Sequence, residues 1–240
     1  MKKLVIPALL LGALQATGCI FVSDDDTEDT ATINVSWTLV SDGAPAGCPA
    51  GANTAAVNAQ RDGQGSPYVD LFDCSDLSGF ADDLPLGTYT VWIDFTDGGS
   101  SLYAQSQAAE ITLDTPGEQA SASFEVDVDN GFFDVSWEIH SAGGGTGCAS
   151  VAQNGVGVLS TLAGTVEGVD DKFTCAAGES PAIATTPALP IGDYTVVLSL
   201  LEPGTDASMG DSDAISTSID YGNQFVDLGV VSITEGVFPN

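Results

Sequence analysis

"INVSWTLVSDG", Ile33 to Gly43, and "FDVSWEIHSAG", Phe133 to Gly143, align residue for residue at an offset of 100 and place Trp37 on Trp137. In both, apolar side chains fall on every second position: Ile33, Val35, Trp37 and Leu39, then Phe133, Val135, Trp137 and Ile139. A period of two puts those side chains on one face of an extended chain, so each stretch is expected to be a half-buried β-strand. The match continues past the strand. Cys48 falls on Cys148, "LFDC" ending at Cys74 meets "KFTC" ending at Cys175, and "LPLGTYTV" (Leu84 to Val91) meets "LPIGDYTV" (Leu189 to Val196). Landmarks repeated in one order mark a duplication, which predicts domains over residues 31–130 and 131–240.

Further strands are expected at Tyr68–Cys74, Thr88–Thr96, Leu102–Leu113 and Ser121–Val128, separated by turn sequences such as Thr96-Asp97-Gly98-Gly99 and Thr115-Pro116-Gly117. No window after the first residues carries a sustained apolar stripe of helical period. Many short strands in units of about 100 residues predict an all-β protein of two tandem antiparallel β-sandwiches. In Leu-Pro-x-Gly-x-Tyr-x-Val, the proline and glycine suit a tight turn, after which Tyr89, Val91, Ile93 and Phe95 share a strand face. A glycine two residues before a tyrosine resembles the tyrosine corner of Ig-like sandwiches, whose hydroxyl bonds back to nearby backbone. The stretch also resembles the carboxypeptidase regulatory-like, or prealbumin-like, family of bacterial β-sandwiches. That resemblance implies a tandem surface module and carries no functional site. An Ig-type disulfide would need cysteine at Val91 and Val196, so the cysteines here form a different staple.

The N-terminus carries an address. Met1-Lys2-Lys3 precedes an apolar run from Leu4 to Ala16, which would span about 20 Å as a helix, too short for a bilayer core. A basic start, a short apolar run and small residues before a cut read as a signal peptide over residues 1–18. Ala16-Thr17-Gly18-Cys19 resembles the lipobox of bacterial lipoproteins, with Ala16 where leucine is usual. The resemblance implies that Cys19 is lipidated and becomes the mature N-terminus, leaving residues 19–30 as an acidic tether. An ordinary signal peptidase site is the alternative, and it leaves Cys19 a free thiol. Ser23-Asp24-Asp25-Asp26 and Ile20 resemble the sorting signals of outer-membrane lipoproteins, which implies an outer-membrane location, facing the surface or the periplasm.

Five cysteines are an odd number, and lipidation of Cys19 leaves four for two disulfides in an oxidising compartment. Equivalent cysteines in duplicated domains should make equivalent bonds, which pairs Cys48 with Cys74 and Cys148 with Cys175. With one histidine and no Cys-x-x-Cys spacing, zinc has no ligand set.

Removal of Lys2 and Lys3 leaves two basic residues, Arg61 and Lys172, against 34 acids, a net charge of −32. Nucleic acid would be repelled. Asp127, Asp129 and Asn130 at the domain junction resemble the acidic calcium linkers of tandem adhesion modules, although the EF-hand spacing is missing. The plainer reading is that Phe124, Val126 and Val128 face the core while the acids face water, and no cofactor is required. His140 is the one candidate general base, but Ser136 and Asp134 lie beside each other on its own strand rather than converging on it. A lysine–asparagine isopeptide bond, as in some surface sandwiches, would have to use Lys172, which is expected to pair with Asp170 and Asp171 instead. Trp92 stands on the polar face of its strand, where an indole would stack on a sugar, fill a domain contact or lie under a loop. These readings point to a membrane-anchored, non-enzymatic binding, adhesion or envelope-structural module, held by lipid and meeting a protein or glycan ligand. The alternative is an accessory carbohydrate-binding or substrate-presenting lipoprotein, and an extracytoplasmic hydrolase comes third.

Overall fold

The computed structural model describes residues 29–99 and 101–236, so the signal sequence and Cys19 lie outside the described residues. The chain forms two β-sandwiches. The first contains β1 (Thr30–Ser41), β2 (Ala44–Pro45), β3 (Thr54–Arg61), β4 (Tyr68–Asp73), β5 (Ser78–Pro85), β6 (Gly87–Thr96), β7 (Leu102–Gln105), β8 (Ala109–Leu113) and β9 (Gln119–Asp127). The second contains β10 (Asn130–His140), β11 (Val156–Leu162), β12 (Val169–Phe173), β13 (Ala184–Thr185), β14 (Leu189–Pro190), β15 (Gly192–Leu201), β16 (Ser208–Asp211), β17 (Ile215–Ile219) and β18 (Phe225–Thr234).

In the first sandwich β1 is central, with β5 and β2 on one side and β9 on the other; the facing sheet runs β4-β3-β6, with β7 and β8 both beside β6. The second repeats this plan, with β10 between β14, β13 and β18, against β12-β11-β15 and its partners β16 and β17. One feature departs from the expected antiparallel pattern: β9 pairs with β1, and β18 with β10, in parallel. The turn before β9 explains the first case. Glu118 accepts the N–H groups of Asp114 and Thr115, and its backbone carbonyl receives the N–H of Thr32. The chain thus crosses from one sheet to the other beside the start of β1 and must run the same way.

Each sandwich has its own core. Ile33, Val35, Trp37 and Leu39 point into the first, and Phe133, Val135, Trp137 and Ile139 into the second. Burial of an apolar side chain of this size contributes roughly 1.5–3 kcal/mol, which makes the alternating strand the organiser of each half. The indoles also bind each core to its staple. Trp37 Nε1 donates to the carbonyl of Cys74 at 3.1 Å, and Trp137 Nε1 to that of Cys175 at 2.8 Å. The disulfides are Cys48–Cys74 and Cys148–Cys175. The tyrosine corner occurs twice, Tyr89 donating to the carbonyl of Pro85 and Tyr194 to that of Pro190.

Some elements differ from expectation. The stretch Leu102–Leu113 is two strands, because Ser106 leaves the ladder and folds back on Ile93, accepting its N–H through Oγ and donating its own N–H to its carbonyl. Ser212 does the same to Leu198. Strand β3, "TAAVNAQR", carries no alternation, because Ala55 through Ala59 are buried on both faces. Lys172 pairs with Asp206 at 2.7 Å rather than with its sequence neighbours. Strand alternation turns Asp171 to the opposite face from Lys172, and the Asp206 turn lies within its reach.

Candidate functional site

The junction between the sandwiches is a short hydrogen-bonded turn. Asp127 is the last residue of β9 and is buried, not solvent-facing as its acidic run implied. Its Oδ1 accepts the backbone N–H of Asp129 at 3.1 Å and of Asn130 at 3.0 Å, together with the Asn130 side-chain amide at 3.1 Å. That amide also donates to Asp42, while Ser41 donates to Asp129. Three N–H donors thus converge on one carboxylate oxygen. The side chains singled out for calcium are thus engaged with one another and with β1. Glu125 and Asp129 face water, and Phe124, Val126 and Val128 face the core.

A second set of contacts joins β7 to the turn between β17 and β18. Gly222 donates to the carbonyl of Tyr103 and accepts from the N–H of Gln105, while Asn223 donates to the Gln105 carbonyl at 3.0 Å and accepts from the N–H of Asp127. A Cβ at Gly222 would lie 2.5 Å from the carbonyl oxygen of Val128 and 2.7 Å from that of Asp127, so only glycine fits.

Trp92 lies near this contact. It is half-buried on the outer face of β6, opposite Asn58 of β3, and its Nε1 donates to Asp94 at 3.2 Å. Asp94 also receives Asn58 and Gln105, and Gln105 accepts from the Tyr221 hydroxyl of the second sandwich. Burial, followed by the negative charges of Asp94 and Asp220, pushes the Tyr221 hydroxyl above its ordinary range. Trp92 is therefore one end of a polar chain that reaches the second sandwich. Sequence parity placed it on this face; Asn58, Gln105 and Tyr221 carried no signal, because their partners are brought together only by the sheet and the junction.

His140 ends β10 beside a cavity of about 480 Å³ that Glu138 and Glu179 also line. Ser136 donates to the carbonyl of Ala182 and Asp134 accepts from Thr185, so neither is directed to the imidazole. Glu179 is engaged at the other end of that wall, accepting the N–H of Cys148 at 2.7 Å. Among the described residues no group of three or more His, Cys, Asp or Glu could hold a metal ion, and no helix is long and apolar enough to cross a membrane.

No family model matches the chain, and no curated protein matches it. Among solved structures, the TIE protein of Bacillus anthracis is similar at 14% identity, over 86% of this chain and 34% of that one, with a TM-score of 0.30. A minor pilin of Streptococcus agalactiae is similar at 12% identity, over 88% and 98%, with a TM-score of 0.28. The fimbrial anchor protein of Porphyromonas gingivalis is similar at 16% identity, over 77% and 82%, with a TM-score of 0.31. The chain spans about a third of the length of the first of these.

Proposed function

We propose that this protein is a lipid-anchored extracytoplasmic module that presents a binding surface at the outer membrane, and that it is not an enzyme. The observation that carries the reading is the junction. Hydrogen bonds through Asp127, Gly222 and Asn223 tie two disulfide-stapled sandwiches into one unit, which suits presentation or adhesion more than turnover. A solvated acidic tether after Cys19 would keep that unit clear of the lipid.

The test is fractionation of cells expressing the full-length protein. It should partition into membranes with a mature mass that includes acyl chains on Cys19, and Cys19→Ser should release it or leave it unprocessed. A mature chain beginning at Cys19 without acyl groups would remove the anchor from this reading. The full-length protein should capture a partner from envelope extract, with no hydrolysis of ester, peptide or glycoside probes; turnover abolished by His140→Ala would make it an enzyme instead.

A further inference from the structure

The duplication sets two edge strands side by side for comparison, β4 and β12, each of which pairs on one side only. In the first sandwich two contacts hold that edge to the facing sheet. Phe72 meets Phe80 of β5 edge to face at 5.2 Å, and the backbone N–H of Asp82, also of β5, supports the inward carboxylate of Asp70. The second sandwich keeps the edge-strand half of both contacts, as Phe173 and Asp171, and loses the other half. Alignment through the Leu-Pro-x-Gly-x-Tyr motif places Thr185 on Phe80 and Pro187 on Asp82. Threonine offers Phe173 no ring, and its hydroxyl is turned to Asp134. Proline has no N–H to give.

An inward carboxylate is thereby left without support. Asp171 stands opposite Val158 of β11, and Ser160 lies two residues further along the same inward face. Ser160 takes the place of Ala59 in the first sandwich, since the two pair with the equivalent residues Val196 and Val91, and it is 1% exposed. Among the described residues, neither the buried Oδ2 of Asp171 nor the Oγ of Ser160 has a hydrogen-bond partner, so the two do not reach one another. The charges around Asp171 do not relieve it. The inward residues of β11 and the segment 184–189 bring no titratable side chain, Lys172 faces outward and pairs with Asp206, and Asp170 adds a like charge. A charged group buried without a partner costs more than its neutral form.

We infer that β12 is a proton-controlled edge of the second sandwich: with Asp171 neutral the strand lies closed against the core, and with Asp171 charged it opens locally while the remaining strands hold. The device is independent of the anchor and of the binding role proposed above. Opening brings water to both unpartnered oxygens and disturbs little else, because β12 has 5 residues and its ladder runs to β11 alone. The direction follows from linkage. Burial, and then Asp170, holds the Asp171 carboxyl above the ordinary 3.8, so the closed strand is favoured below the unfolded value and that advantage is lost as pH rises through the folded one. Burial acts on Asp70 in the same direction, but the Asp82 N–H opposes it and Phe80 holds its strand closed.

The experiment is hydrogen exchange read by mass spectrometry on the full-length protein in detergent, from about pH 4 to about pH 7, with rates corrected for the intrinsic effect of pH. Protection of the β12 amides should be lost progressively across this range, while that of β15 is retained and that of β4 falls less. Asp171→Asn should keep β12 protected at the upper end. Pro187→Ala, which restores an N–H where the first sandwich has one, should reduce the loss. Equal corrected protection of β12 at both ends of the range would overturn the device. So would a loss that survives Asp171→Asn, or one spread evenly over β11, β12 and β15, which would make the response a property of the whole sandwich rather than of its edge.

Discussion

The carboxylate of Asp127 accepts both the backbone N–H and the side-chain amide of Asn130, at 3.0 and 3.1 Å. The acid that sequence nominates for calcium is thereby satisfied by N–H donors. Scattering curves of the full-length protein should therefore superimpose in millimolar calcium and in chelator. Asp127→Ala should loosen the junction and cost about 1–3 kcal/mol, because the backbone N–H groups of Asp129 and Asn130 lose their acceptor. A contraction or stiffening that appears only with calcium would show that the turn is completed by a cation.

Gly222→Ala should separate the sandwiches without unfolding either. Its new methyl would meet two backbone carbonyls that cannot move independently of the linker. Calorimetry should resolve the single transition of the parent protein into two, and the maximum dimension from scattering should grow. One transition and unchanged dimensions would mean that the β7 contact does not hold the pair.

Each disulfide closes a loop of similar length, with separations of 26 and 27 residues. The chain-entropy relation gives about 3.5 kcal/mol for either. Cys48→Ser with Cys74→Ser, or Cys148→Ser with Cys175→Ser, should lower the denaturant midpoint by comparable amounts, and non-reducing peptide maps should link only the partners named. A Cys48–Cys148 link would contradict the intradomain staples.

Asp70 and Asp171 occupy equivalent inward-facing positions on the edge strands β4 and β12, and burial raises the pKa of both above the ordinary 3.8. For Asp171 the neighbouring Asp170 adds to the effect, and its buried Oδ2 has no hydrogen-bond partner. A carboxyl whose folded pKa exceeds its unfolded value favours folding when protonated. Its contribution is present below the unfolded pKa and is lost as pH rises through the folded one. Asp171→Asn should therefore raise the melting temperature at pH 7 and flatten its dependence from about pH 4 upward. A lower melting temperature at pH 7 would show that the charged form has a partner in the fold.

Tyr89→Phe and Tyr194→Phe each delete a hydroxyl that donates to a proline carbonyl four residues upstream. Each should cost about 1 kcal/mol in chemical denaturation, with no change in the peptide map. A loss several times larger in one sandwich alone would mean that the corners are not equivalent.

Local pattern was enough wherever one face of a strand is buried and the other wet. Ile33 to Leu39 alternate because Asn34, Ser36 and Thr38 meet water, Phe133 to Ile139 keep the pattern in residue type although Ser136 is buried against Ala182, and the Leu-Pro-x-Gly-x-Tyr turn is legible because proline fixes its backbone and glycine admits conformations other residues avoid. The all-β class and the sandwich architecture follow from those elements. Tertiary structure decided what depends on residues far apart in the chain. Strand β3 hides its nature because both of its faces are covered, so no alternation survives in "TAAVNAQR". The parallel pairing of β9 with β1 depends on which sheet the chain leaves before Gln119, and no local propensity records that. The make-up of a sheet's outer face is further from view still. Asn34, Ser36 and Thr38 are ordinary outward residues in sequence, and only the pairing of β1 with β5 and β9 sets Phe80, Ser121 and Ser123 beside them. Periodicity reports which side of a strand is dry, whereas a surface assembled across three strands is set by pairing at long range.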